Sequence, residues 1–380
     1  NAKHAALDFP GRFDQPRIDL DTLTARTSWR VSHSATQRDA PADVAVRVDA
    51  LHLQNAELTG DVTGTWRNGG KGNGIVDLKG NIVRASASAV PRYLPTDIGA
   101  SVRDYLQRAL LAGTVQNAPF AVQGDLDNFP YGKGGGKFRI DIPLVDVAFN
   151  PSPVRPGHTE VWPAFDKVRG NLRFDADKLH IAIDSGTVFG VTLTQVVGDI
   201  NDIGQDDSVL TLKGDARGPA ADFVKYLNGS PVGHWIGDFT DETRASGTTQ
   251  LAMQLSMPLD HTDRSKVTGR ARFLRNDITL LNGLPTFGAV DGELAFTERG
   301  ISLDNLRGTF LGGDLRASGG SRSDGTIALN IGGTLSAQGL RDNQESASLA
   351  QLAKRMTGGT PYSATVTVRQ GMTEVAVQST

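Results

Sequence analysis

Cysteine is absent from these 380 residues, which excludes disulfides, thiolate metal sites and thiol nucleophiles together. The absence says little about compartment, because large secreted domains and cytosolic ones alike dispense with cysteine. Long apolar runs are also missing. The best stretch, Leu106 to Leu111, is interrupted by Gln107 and Arg108 and falls well short of the roughly 18 to 20 residues a membrane helix needs. Neither sign of charge dominates: the net charge of −3 comes from interspersed Lys, Arg, Asp and Glu, with no basic stripe and no acidic tail, so nucleic acid is not an expected partner. The chain starts at Asn1 without a Met or a charged-then-apolar leader, so an internal fragment is expected, with any anchoring segment outside it.

Motifs for chemistry are equally scarce. The seven histidines (His4, His33, His52, His158, His180, His234 and His261) are scattered, no two at the helical spacing of a metal site, so no metal is expected. His180 alternates with Leu179 and Ile181 and so faces away from them, as a surface residue does. The segment Gly132 to Lys137 imitates a phosphate loop, but Phe138 stands where Ser or Thr is needed and no helix pattern follows. A hairpin turn accounts for it, as for the glycines of 68–74. There is no Gly-x-Ser-x-Gly elbow. Asp141, Asp146, Asp199, Asp202, Asp206 and Asp207 show no acid/base pairing, so neither an enzyme nor a cofactor is expected.

What is abundant is glycine, 44 residues against an average near 7%, placed between short alternating runs where it marks turns. The runs include Val44, Val46, Val48; Phe138, Ile140, Ile142; Leu210, Leu212; Leu251, Met253, Leu255, Met257; Val366, Val368; and Val375, Val377. A period of two gives each strand one apolar and one polar face. Turn signals every roughly 8 to 12 residues, without regular intervening helices, predict antiparallel meanders and an all-β fold. Three helical patterns interrupt the strands, at about 97–111, 220–227 and 345–356, with narrow apolar stripes that suit lids or plugs over a sheet.

The chain also repeats itself. The twelve residues from Pro163 to Phe174 align without a gap on those from Pro285 to Phe296, and at the same offset Leu179, Ile181 and Gly186 to Gly190 align on Ile301, Leu303 and Gly308 to Gly312. A weaker echo sets Leu78 to Gly80 and Tyr93 against Leu212 to Gly214 and Tyr226. The unit is several strands, a helix, then more strands, repeated about three times. Stacked units that each leave one apolar face uncovered build a continuous apolar surface, which predicts an elongated chain. Periodicity alone does not separate such a surface from the closed core of a β-sandwich.

Several stretches, in order and spacing, resemble the periplasmic β-rich region of the YhdP family of AsmA-like and TamB-like proteins. They are Val90 to Pro95, Val102 to Gly113, Phe129-Pro130, Gly136 to Leu144, Trp162 to Ala164, Gly170 to Phe174, Gly247 to Leu259, Asn276 to Leu280 and Leu284 to Phe296. The first 80 or so residues resemble the family less. The resemblance implies a long, twisted antiparallel sheet curled into an apolar groove, here as an N-terminal segment (1–89), a central repeat (90–260) and a second repeat (261–380). It implies the periplasmic portion of an inner-membrane-anchored protein that moves phospholipid between the two membranes and supports the outer-membrane permeability barrier. The groove candidates are Phe138, Ile140, Ile142, Leu172, Phe174, Ile181, Leu210, Leu212, Leu251, Met253, Leu255, Met257, Leu294, Phe296 and Leu303. A scaffold that binds envelope proteins along its strand edges is the alternative.

Overall fold

The computed structural model describes residues 1–33, 42–68, 72–153, 161–205, 207–236, 238–343, 351, 353–369 and 372–379. Nineteen strands belong to its sheet, with a few short helices between them, so the fold is all-β and antiparallel as expected. Two compact units are present, one drawn from 1–154, 164–186 and 196–210, the other from 155–163, 187–195 and 211–380.

The first unit contains β1 (Ala2–Asp8), β2 (Arg17–Ser32), β3 (Asp43–Gln54), β4 (Leu58–Arg67), β5 (Ile75–Ser86), a 3-10 turn (Ala87–Tyr93), α1 (Ala100–Ala109), β6 (Leu110–Asp125), β7 (Gly136–Phe149) and β8 (Phe165–Asp175). Each of these strands pairs with the next, antiparallel. Then come β9 (Lys178–Val188), β10 (Val191–Asn201) and β11 (Val209–Pro219), each with residues in both units. The second unit continues with α2 (Ala220–Asn228), α3 (Pro231–Trp235), β12 (Arg244–Pro258), β13 (Lys266–Thr279), β14 (Phe287–Thr297), β15 (Gly300–Phe310), β16 (Gly313–Ser321), β17 (Ile327–Ser336), α4 (Ala337–Asp342), β18 (Gly359–Arg369) and β19 (Met372–Ser379). From β12 onward, too, every strand pairs antiparallel with its successor.

The glycine-rich stretch before Phe138 is a turn leading into β7, as read. The helix expected over about 97–111 is shorter, because the chain enters β6 at Leu110. The helix expected over 220–227 is α2. Most of the third, about 345–356, lies outside the described residues, while α3 and α4 had not been anticipated. Both are one or two turns long, too short to show a helical period.

The sequence repeat is also a structural one. Phe165–Asp175 and Phe287–Thr297 are equivalent strands, as are Lys178–Val188 and Gly300–Phe310. Even the unusual backbone recurs: Lys167 and Ala289 take φ of 52° and 47°, Phe189 and Leu311 take 51° and 46°, and Gly170 and Gly292 take 157° and 140°. Left-handed φ at a non-glycine residue costs about 1 kcal/mol or more, so its recurrence marks a built feature. Phe189 and Leu311 sit in tight turns, whereas Lys167 and Ala289, like Asp146, Arg275 and Asn305, sit where pairing between neighbouring strands slips by a residue. These slips are β-bulges, which bend and twist a sheet.

Asn276 closes one of them. Its side chain is fully buried, accepts from Leu274 N at 2.7 Å and donates to Ser246 O at 2.8 Å, satisfying backbone that the bulge leaves unpaired. Apart from Val290, no other large side chain is so completely enclosed among the described residues. The chain exposes 22786 Å². Two separate compact bodies of half its mass would together expose only about 17,500 Å². Among the described residues the hydrophobic clusters are small, such as Ala85, Val115 and Ala118 in the first unit and Val290, Leu306 and Ala317 in the second.

Replacing Asn276 by Leu strands two backbone groups and is expected to cost on the order of 3 kcal/mol in urea unfolding of the second unit. Replacing Gly170 by Ala sets a Cβ 2.3 Å from the carbonyl oxygen of Ala182 at a φ of 157°. A loss of about 2 kcal/mol or more is expected. Gly332→Ala, whose Cβ would meet nothing nearer than 3.8 Å, is the matched control, expected to be near neutral.

Candidate functional site: the apolar face of the sheet

Residues directly opposite one another in an antiparallel pair share a face, so the registers trace which side chains line up across strands. In the second unit one such row runs Leu251, Ala271, Leu294, Leu303, Gly319, Leu329, Val366, Val375. Beside it runs Met253, Gly269, Phe296, Ile301. Leu255 stands opposite Val267, and Met257 follows it on the same face of β12. The rows between carry Arg270, Arg272, Glu293, Asp304 and Asn330, on the opposite face.

The first unit is built alike. One row runs Leu51, Val62, Gly80, Phe120, Ile140, Phe174, and another Val48, Gly64, Leu78, Val122, Phe138. Ile142 stands opposite Leu172. On the opposite face, one residue beyond the second row, run Arg47, Thr65, Asp77, Gln123 and Lys137. Thus Phe138, Ile140, Ile142, Leu172 and Phe174 share one face, and so do Leu251, Met253, Leu255, Met257, Leu294, Phe296 and Leu303. Ile181 holds in the first repeat copy the position of Leu303 in the second; Leu210 and Leu212 stand two apart on β11.

All fifteen are half-buried, neither enclosed nor open. A second sheet packed about 10 Å above would enclose them. The rows also contain residues that the alternation count passed over, glycine above all. The ring of Phe296 lies over Gly269, where an added Cβ would come within 2.2 Å of it, and the ring of Phe120 lies over Gly80 at 2.4 Å. A glycine contributes nothing to an apolar count, yet here it makes room for the aromatic ring of the neighbouring strand.

The opposite face is zipped by ion pairs. Asp141 takes Arg173 from β8 and Arg139 from its own strand, and Arg173 holds its carboxyl below the usual range. Asp146 pairs with Arg169 at 2.8 Å, Glu293 with Arg270 at 3.5 Å, and His180 and His52 meet Asp199 and Asp61 at 2.8 Å. Asp141 and Asp146, two of the carboxylates weighed as acids or bases, are thus partnered by arginines rather than by one another. Such exposed pairs add little stability each, but they keep this face wet.

Beside β12, α2 packs Tyr226 against Trp162, ring centroids 6.3 Å apart, and Trp162 also meets Trp235 edge to face at 5.9 Å. Burial pushes the Tyr226 phenol up to about 12. A raised folded-state value favours the neutral form, so its stabilisation is complete below pH about 10 and is lost as pH rises toward 12. Burial also raises the Tyr93, Tyr131 and Tyr362 phenols, so ultraviolet titration of the five tyrosines should show several ionising late, and Tyr226→Phe should remove the step near pH 12.

Comparison with known families matches all of residues 1–380 to the one described as YhdP protein. The chain belongs to the YhdP family. A curated relative, the intermembrane phospholipid transporter YhdP of Escherichia coli (strain K12), is 23% identical over 341 residues, 87% of this chain. The match spans 25% of that relative, so this YhdP-family chain corresponds to about a quarter of the length of that protein. No solved structure matches the chain. No described helix is long and apolar enough to cross a membrane.

Proposed function

We propose that the chain is one stretch of a phospholipid conduit, which holds acyl chains against the apolar face of its sheet and carries them without transforming them. The observation that carries this reading is the set of unbroken apolar rows, half-buried and backed by a charged face, in a chain whose family includes an intermembrane phospholipid transporter. Burial of each acyl methylene contributes about 0.8 kcal/mol. Because the rows run across the strands, an equivalent apolar site recurs every 4.8 Å or so, and an acyl chain slides from one to the next without crossing polar ground. Met253 and Met257 add a polarizable stripe that tolerates acyl chains of different length and saturation. The working place of such a stretch is the periplasm of a Gram-negative cell, within a protein anchored to the inner membrane, where lipid delivery supports the outer-membrane barrier.

Native mass spectrometry with lipid extraction tests this on the chain purified gently from a bacterial envelope. Co-purifying phospholipid is expected, and Met253→Asp and Leu294→Asp should each reduce it by at least tenfold in a folded protein. Gln254→Asp, on the charged face beside Met253, should leave it unchanged. A lipid-free chain holding a stoichiometric protein partner would replace this reading with that of a strand-edge scaffold.

A further inference from the structure

Within the first unit, two joined segments, Tyr93 to Gly99 and the β1–β2 loop, together reach from one end of the strands to the other. At one end the Tyr93 hydroxyl donates to Glu57 Oε2 at 2.8 Å and accepts from Asn55 Nδ2 at 3.1 Å, both in the β3–β4 turn. Three residues on, Thr96 N donates to Arg12 O at 2.9 Å and Thr96 Oγ1 to Gly11 O at 3.0 Å, joining this segment to the β1–β2 loop. The Arg12 guanidinium then donates to Asn73 Oδ1 at 2.8 Å. Asn73 lies in the β4–β5 turn, at the opposite end of β4, and donates to Asp127 Oδ1 just beyond β6.

The ten residues of β4 separate those two turns by about 33 Å. Only segments drawn out along the strand can together touch both. The helix α1 extends the same line, from Ala100 back to the first residue of β6. Arg103 fastens it: the guanidinium donates to both oxygens of Asp14 at 2.8 and 3.0 Å, to Thr96 O at 2.9 Å and to Ile98 O. Its side chain is only 11% exposed. In the β1–β2 loop, Phe9 and Phe13 pack edge to face at 5.7 Å, which stiffens that partner.

The side on which this crossbar runs follows from exposure. On β4 and β5 the charged-face residues Asp61, Thr63, Thr65, Asp77 and Lys79 are all open to solvent, while Gly60 and Val76 on the apolar face are buried. The crossbar therefore lies over the apolar face. The apolar rows run across the strands; the crossbar runs along them. A chain sliding past β4 to β6 meets it broadside.

We propose that this crossbar is a gate on the conduit, closed by the Arg12–Asn73 latch, and that lipid passes β4 to β6 only when the β1–β2 loop and Leu94 to Gly99 lift. The proposal rests on the conduit reading and adds a moving part to it. Lifting breaks few contacts at the far end, where one guanidinium bridges to one amide, whereas Arg103 keeps the α1 end tied to the loop, so the two segments rise together.

The cysteine-free chain allows a direct test. In an Arg12→Cys/Asn73→Cys variant, a short bismaleimide with a cleavable disulfide in its spacer locks the latch, and a reductant releases it. The chain is then incubated with vesicles containing photoactivatable phosphatidylethanolamine, and labelled peptides are mapped. The locked chain should label the crossbar floor, around Leu78 and Phe120, at least fivefold less than the released chain, with labelling at Met253 to Phe296 equal in both. Arg12→Ala, which removes the latch without a linker, should raise labelling of the floor. Equal labelling of the floor in locked and released chains would overturn the gate and leave the conduit standing. Absence of label everywhere, in a chain whose circular dichroism is native, would overturn both.

Discussion

Everything in this chain depends on strand register. With a side-chain period of two, a slip of one residue between neighbours would carry a whole apolar set to the charged side. Here the registers keep Leu251, Leu294, Leu303, Leu329 and Val366 in line over successive strands, and the bulges do not spoil that alignment because they recur at matching places in neighbouring strands. Asn276 shows how one of them is fixed: a buried amide replaces the ladder bonds that the extra residue removes. Backbone pairing, rather than a dense interior, is what gives the fold its definition.

That balance explains the modest burial. In an ordinary domain an apolar face is covered by a second layer, and the layer supplies most of the hydrophobic stabilisation. Among the described residues the helical elements are few, the 3-10 turns and the short helices α1 to α4, and most of the apolar face stays half open. The charged face does the opposite work. Pairs such as Asp141 with Arg173 contribute little energy each, yet they make one side of every strand unambiguously aqueous, and so fix which side is not.

Much of this was legible in the residues. Alternation named the strands, and within each unit the face shared by Phe138 with Ile140 and by Met253 with Leu255, because a period of two is a local property. The repeat from Pro163 and Pro285 foretold equivalent strands, and the structure extended the equivalence to individual backbone angles. Three things escaped. Bulges left no trace in the alternation until pairing was known, since Lys167 and Ala289 share no chemistry that would announce a left-handed φ. Gly80 and Gly269 carried no weight in an apolar count, although each sits mid-strand beneath a phenyl ring. The crossbar was invisible because it joins Arg12, Asn73 and Thr96, residues far apart in sequence whose relation exists only once the strands are paired; the pattern at 97–111 pointed to a helix there, but not to what it would span.

The repeated pair of strands has a consequence for how such a protein changes size over evolutionary time. A cassette that pairs with the strand before and the strand after depends little on how many cassettes there are. Duplication of a gene segment adds another without redesigning any interior, and deletion removes one without leaving a hole. The number of strands then becomes a heritable quantity counted in copies, while the chemistry written on each strand stays untouched.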